Sequence, residues 1–274
     1  MEARLSGTAN EAAGAAASRA ANDGAGGTET LRTYSDPSVV DQYDRARELL
    51  PEERELFARH VKPGQRVFDI GVGAGRTTPF LAEGASRYVG IDYAAPMVER
   101  CRERFPNLEF EVADAADLSR WEANSFDVAV FSFNGLGTLP TDEARERCIR
   151  EVARVLSPSG LFIFSIHNPK YVVFRPVLHD VGLLKGAWRV AYAMTQTVRN
   201  AYHRLPSRAF WQGEGFVVDP CQHGALTVYV GSPRHVTRAA ERAGFRLVEK
   251  VGPDENNPLE LVSRPHFYYV FAKG

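Results

Sequence analysis

The sequence predicts a doubly wound α/β fold, and three observations carry that prediction. Val67-Phe68-Asp69-Ile70 is a short apolar run that enters the turn Gly71-Val72-Gly73-Ala74-Gly75 and leaves through Thr77 and Thr78 into a helical stretch. A second such run, Tyr88-Val89-Gly90-Ile91-Asp92, ends in an acid, about 20 residues after the first, where a ribose-binding acid falls in nucleotide folds. From there strand-like and helix-like segments alternate, as a parallel sheet requires.

The glycines allow a tight turn and let a ligand approach the main chain closely. A dinucleotide site spaces them G-x-G-x-x-G/A. Here they run G-x-G-x-G, and Arg76 takes the place of the last small residue. A carboxylate at Asp69 would repel a pyrophosphate at the helix N-terminus unless it faced away. It suits a ligand with an ammonium and a sulfonium. Asp92 can accept hydrogen bonds from ribose hydroxyls.

Five ordered motifs extend the pattern. They are Asp69-Ile70-Gly71-Val72-Gly73-Ala74-Gly75, Gly90-Ile91-Asp92-Tyr93-Ala94, Val112-Ala113-Asp114-Ala115, Phe126-Asp127-Val128-Ala129-Val130-Phe131-Ser132 and Arg154-Val155-Leu156-Ser157-Pro158-Ser159-Gly160. In these the chain resembles the class I S-adenosylmethionine-dependent methyltransferases, well over residues 34–167 and more loosely at the end. The resemblance implies a Rossmann-like, seven-stranded, mostly parallel sheet with helices on both faces. It also implies an N-terminal helical lid, an aromatic-rich insertion after strand five, and a last strand running antiparallel beside strand five. S-adenosyl-L-methionine is then the cofactor and S-adenosyl-L-homocysteine the product.

Taken in order, residues 1–30 are Ala-, Gly- and Ser-rich with hardly an apolar anchor, and read as a disordered tail or an arm ordering against another subunit. Ser35-Asp36-Pro37 starts a helix carrying Val39, Val40, Tyr43 and Ala46, and Pro51 starts another carrying Leu56, Phe57 and Val61; Lys62-Pro63-Gly64 ends this lid segment (31–64). The core (65–167) reads as strands Arg66–Ile70, Tyr88–Asp92, Leu108–Ala113, Phe126–Phe133 and Leu161–Ile166. Helices are expected at Thr77 to about Ala85, Ala95–Phe105 and Asp142–Leu156, the last with Cys148, Ile149, Val152 and Val155 inward. Residues 168–224 form the variable insertion, and 225–274 complete the core with a helix at Pro233–Ala243 and strands at Phe245–Val251 and His266–Phe271.

Composition narrows the function. The 274 residues suit one large domain, and 44% hydrophobic residues can bury a sizeable core. A net charge of −1 supplies no basic field for nucleic acid. Three Cys make neither a disulfide framework nor a metal-ligand spacing, so no metal is expected, and Cys148 reads as core. No apolar run spans a membrane and the N-terminus lacks a signal-peptide core, so a cytoplasmic protein without a membrane partner is the expectation.

Ligands of such sheets bind at the carboxyl ends of the strands. Asp69, Asp92 and Asp114 end the first three strands, Ser132 and Asn134 close the fourth, and His167 ends the fifth. The resemblance implies that Gly71, Gly73 and Gly75 cradle the cofactor, that Asp114 meets the adenine amino group and that Ala115 offers its N–H to the ring. Asp117 could compete with Asp114, which could instead be a solvated turn acid. Tyr93 and Met97 could pack on adenine or ribose. Tyr34 and Tyr43 are lid candidates or half-buried packing residues. In the insertion, Tyr171, Phe174, Trp188 and Trp211 could wall an apolar pocket, seal the segment onto the sheet, or form a subunit contact.

A sulfonium methyl is already activated, so positioning does most of the work, with effective molarities reaching roughly 10⁵ M. His167 is the candidate general base, His223 the second choice, and a structural or substrate-orienting role for His167 is the alternative. Asn134 could point a carbonyl at an acceptor amine, but the Asn-Pro-Pro-aromatic pattern of nucleic-acid and protein amide N-methyltransferases is missing. The expected activity is O-, N- or C-methylation of a hydrophobic or aromatic small molecule in natural-product biosynthesis. C-methylation of an isoprenoid double bond, its cation held by aromatic faces, is one form. The alternatives are a non-catalytic cofactor-binding subunit and, against Arg76 and Asp69, a nicotinamide oxidoreductase. Homo-oligomerisation could use the N-terminal arm or the insertion.

Overall fold

The computed structural model describes residues 25–176, 182–219 and 226–274. The described residues open with three helices: α1 (Ala25–Tyr34), α2 (Pro37–Arg45) and α3 (Pro51–His60). Asp36 caps α2, its Oδ1 accepting from the Ser38 N–H at 2.8 Å, and Pro37 supplies a preset φ in the first turn. Residues 25–30 belong to α1, which corrects the tail expected there; the rest of that tail, 1–24, lies outside the described residues.

The core follows as β1 (Arg66–Ile70), α4 (Thr78–Leu81), β2 (Arg87–Asp92), α5 (Ala95–Arg104), β3 (Glu109–Val112), β4 (Phe126–Phe131), α6 (Asp142–Val155) and β5 (Leu156–His167). Helix α4 is one turn, shorter than expected, because Gly84 turns the chain at φ 71° soon after it. On α6, Cys148, Ile149, Val152 and Val155 are all buried, spaced to form one apolar face. The chain ends with α7 (Leu183–Arg204), α8 (Arg208–Gln212), β6 (Glu214–Asp219), β7 (Leu226–Gly231), α9 (Pro233–Arg242), β8 (Phe245–Val251), α10 (Pro258–Ser263) and β9 (His266–Lys273).

Among the described residues, nine strands form one sheet, two more than expected. Strands β3-β2-β1-β4-β5 are parallel neighbours; β9 runs antiparallel along β5 from Leu161 to His167, and β8 pairs antiparallel with β9. The additional pair is the β6–β7 hairpin, which joins β5 through one rung, His167 opposite Val230. The central strands are buried on both faces, as parallel strands covered by helices must be. Phe68, Phe126, Phe162, Phe164 and Phe271 fill one face; Val67, Val128, Val130 and Val270 pack under α3 on the other. Among the described residues, no helix is long and apolar enough to cross a membrane.

Candidate active site

The order of the sheet reverses between β1 and β4, and a cleft opens there at the carboxyl ends of the strands. It holds about 930 Å³ of empty space, its mouth included. Gly71 and Gly73 form part of the wall, both in the left-handed region (φ 63° and 55°). A Cβ on Gly71 would lie 2.5 Å from the Phe131 ring, so the turn can pass the aromatic floor only without a side chain.

Asp92 is the hinge of the site. Its Oδ2 accepts from the Gly73 N–H and its Oδ1 from the Ala94 N–H, each at 2.9 Å. One carboxylate therefore fixes the glycine turn and also faces the cleft. Burial raises its pKa to about 6, although the backbone donors pull the other way. Asp114 lines the cleft too, with Oδ1 accepting from the Ala116 N–H at 2.8 Å, and Ala115 stands beside it; Asp117 does not line it.

The helical lid closes the cleft. Tyr34 from α1 and Tyr43 from α2 meet edge to face at 5.7 Å; Tyr34 contacts Tyr93 at 6.2 Å and Tyr43 contacts Phe133 at 6.4 Å. Tyr93 Oη is buried with no hydrogen-bond partner, a donor left for a polar ligand group. Met97 and Ser132 complete the expected set that lines the cleft.

Asp69 is a correction. It is buried outside the cleft lining, and its Oδ2 accepts from Thr77 Oγ1 at 2.6 Å and Tyr88 Oη at 2.8 Å. Burial raises its pKa to about 6, against the pull of those hydroxyls. It ties the turn to α4 and β2, away from the residues that line the cleft. Gly75 also stands outside: a Cβ there would come 2.8 Å from the Phe105 ring, so this glycine serves helix packing.

The expected acceptor residues separate in the same way. Tyr43 lines the cleft, while Asn134, His167, Tyr171, Phe174, Trp188 and Trp211 do not. Asn134 is buried and sewn to β5: its Oδ1 accepts from the His167 N–H at 2.9 Å, and its own N–H donates to Ser165 Oγ at 2.8 Å. His167 sits between β5, β6 and α7, with Nδ1 3.6 Å from Asp219 Oδ2 and its ring 4.6 Å from that of His266. Burial, and then the neighbouring His266, hold it neutral well below the ordinary histidine range. Arg204 reaches the same Asp219 oxygen at 3.6 Å, so His167 belongs to a polar knot that fastens the insertion. Tyr171 lies against Arg204, Phe174 against Tyr192, and Trp188 and Trp211 face solvent. His223 lies outside the described residues.

Sequence reasoning missed two parts of the wall. Gly27 and Thr30 of α1 line the cleft, small residues with no apolar periodicity to betray them. From the end of β4 onward, Phe131, Phe133, Gly135, Thr138, Leu139 and Pro140 form a largely apolar stretch of the wall. Phe133 and Asn134 are successive left-handed residues (φ 52° and 64°), a strained conformation for a phenylalanine that the Asn134–β5 hydrogen bonds hold in place. Behind this stretch lies a buried ion pair, also unforeseen. Arg76 Nη1 and Nη2 bind Glu53 of α3 at 2.6 and 2.8 Å, Ser132 Oγ donates to the same carboxylate, and Arg76 lies 5.0 Å over the Phe133 ring. Burial alone would raise the Glu53 pKa, but the Arg76 hydrogen bonds and charge outweigh it and lower the value.

A family described as a methyltransferase domain matches residues 67–160. The chain is 31% identical over 116 residues to a demethylmenaquinone methyltransferase of Renibacterium salmoninarum, covering 42% of this chain and 47% of that protein. It is 27% identical over 237 residues to a malonyl-[acyl-carrier protein] O-methyltransferase of Halorhodospira halophila, covering 83% of this chain and 73% of that one. The chain thus spans about half the length of the first relative and most of the second. In structure it is similar to an S-adenosylmethionine-dependent methyltransferase of Mesorhizobium loti, with a TM-score of 0.58 at 22% identity, over 81% of this chain and 97% of that chain.

Proposed function

We propose that this chain, with its methyltransferase-domain match over residues 67–160 and the corresponding fold, is a class I S-adenosylmethionine-dependent methyltransferase, and that it methylates an apolar or aromatic small molecule of the kind made in natural-product biosynthesis. One observation carries the reading. The Asp92 carboxylate faces the cleft while the Gly73 N–H holds it, so an acceptor for sugar hydroxyls stands pre-oriented beside a main-chain cradle. Asp114 and Ala115 then serve the adenine, and Tyr93 offers its unpartnered hydroxyl. Bound there, the cofactor supplies a methyl already activated as a sulfonium substituent, and S-adenosyl-L-homocysteine is the product.

The chain's own work is to exclude water and align the acceptor. Tyr34 and Tyr43 cover the cleft, and Phe133, Leu139 and Pro140 offer the acceptor an apolar wall. Among the described residues no histidine lines that space, so we rest the rate on proximity, for which a near-attack geometry can supply several orders of magnitude. The test is calorimetric titration with S-adenosyl-L-homocysteine and with NAD, followed by a labelled-methyl screen of small-molecule extracts. The homocysteine nucleoside should bind and NAD should not. Asp92→Ala should weaken binding at least a hundredfold, because it removes charged hydrogen bonds each worth about 1.5–3 kcal/mol. Tighter binding of NAD would end the assignment. Binding without any labelled product would leave a cofactor-binding subunit in its place.

A further inference from the structure

We propose that the exposed face of α7 docks on an anionic membrane surface. Leu184, Trp188, Ala191, Met194, Val198, Tyr202 and Leu205 recur three or four residues apart and make one stripe along the helix. That stripe is open to solvent: Leu184 is 89% exposed, Trp188 67%, Val198 69% and Tyr202 76%. The opposite face is occupied. Ala193, Asn200 and Arg204 are buried, with Asn200 Nδ2 donating to the Val172 carbonyl at 3.4 Å and Arg204 Nη1 to the Asn168 carbonyl at 3.1 Å. A helix fixed by one side and apolar on the other has its free side built for contact.

Charge decides what covers it. Between Lys170 and Gly213 the sequence has seven Lys or Arg and one acid, Asp180, which lies outside the described residues. The whole chain balances 33 basic against 34 acidic residues, so the excess is local. Lys185 and Arg199 are exposed on the helix, and Arg175 and Arg208 are exposed near its two ends. An exposed stripe of Trp and Leu flanked by cations such as Lys185 and Arg199 suits a helix that lies in a lipid interface. A second copy of the same face would bring cations against cations. Nucleic acid would use the cations but gain nothing from exposed Leu184 and Val198. The helix is about 33 Å long, and no described helix is long and apolar enough to cross a bilayer, so this one lies on the surface.

The site is distinct from the cleft, so the proposal stands apart from the transfer chemistry. Its test is sedimentation of the full chain with vesicles of phosphatidylcholine alone or with a third phosphatidylglycerol. Trp emission is followed with brominated lipid in parallel. Binding should require the anionic lipid and fall as salt rises. Lys185→Glu/Arg199→Glu should lower partitioning at least tenfold, since each cation near such a surface is worth about fivefold. Leu184→Ser/Trp188→Ser/Val198→Ser should abolish it, with S-adenosyl-L-homocysteine affinity and melting temperature unchanged because every substituted side chain is exposed. No binding, or binding that neither variant disturbs, overturns the proposal. So does a dimer on light scattering that the apolar variant dissolves without any vesicle binding, or RNA binding that the charge variant alone removes.

Discussion

Asp92 shows how much one buried carboxylate can be asked to do. It staples the glycine turn through Gly73, caps the start of the segment after β2 through Ala94, and faces the cleft. Its pKa, raised to about 6 by burial, makes the site sensitive to acid. Sugar hydroxyls donate to the ionised form, so binding must expel any proton held there. Affinity for S-adenosyl-L-homocysteine should be flat above pH 7 and fall toward tenfold per unit below pH 6. Asp69, also raised to about 6 but turned away from the cleft, serves as the control. Asp69→Asn should keep the slope and Asp92→Asn should remove it; a flat wild-type titration between pH 7.5 and 5 would refute the ribose role. The two acids look alike in the sequence, each ending an apolar strand. Only the neighbours distinguish them: Thr77 and Tyr88 claim Asp69.

At the scale of elements, the lid and the glycine turn are joined by the Glu53–Arg76 pair. Both partners are largely removed from solvent, so removing one leaves an uncompensated charge. Glu53→Ala should cost about 3 kcal/mol in urea unfolding and also weaken cofactor binding, because α3 no longer holds the turn. Glu53→Leu/Arg76→Leu should recover much of that stability, and a double-mutant cycle gives the coupling. A cost below about 1 kcal/mol for the single change would mean that water reaches the pair and the coupling is weak. Arg76 drew notice in the sequence as a departure from the dinucleotide pattern. Its partner 23 positions earlier could not be read, since a glutamate in the first turn of a helix ordinarily belongs to solvent. The lid helix α2 was legible for the opposite reason. Its cap, its proline and its apolar spacing are local signals, whereas α1 exposes only small and polar residues and gains its order by packing on the cleft.

For the whole molecule, acid stability should reflect two opposing sets of buried groups. Burial holds His266 down to about 4, so on acidification the unfolded chain takes the proton first and stability is lost as pH falls through the ordinary histidine range. Asp69 and Asp92, raised to about 6, act in the other direction: the folded state binds their protons first, and stability falls as pH rises through that range. The wild type should therefore vary little with pH while the two sets cancel. His266→Gln should unmask the difference, gaining about 2 kcal/mol over wild type at pH 5 relative to pH 7. Equal pH profiles in chemical denaturation would contradict this balance. At this scale the main sheet was legible because strands covered on both sides read as unbroken apolar runs. The β6–β7 hairpin was not, because Glu214–Asp219 lies in a stretch whose aromatic residues drew attention to a pocket and away from strand pairing.

That hairpin meets the rest of the sheet at a single rung, His167 opposite Val230, with the Arg204–Asp219–His167 knot beside it. In strand pairing with β5, then, the hairpin is a page bound to the book by one stitch. Lengthening, shortening or exchanging it severs almost no ladder, whereas altering β4 or β5 would tear a full one. Chains built on this plan have a seam along which the outer surface can be rewritten while the nucleoside cradle is inherited whole.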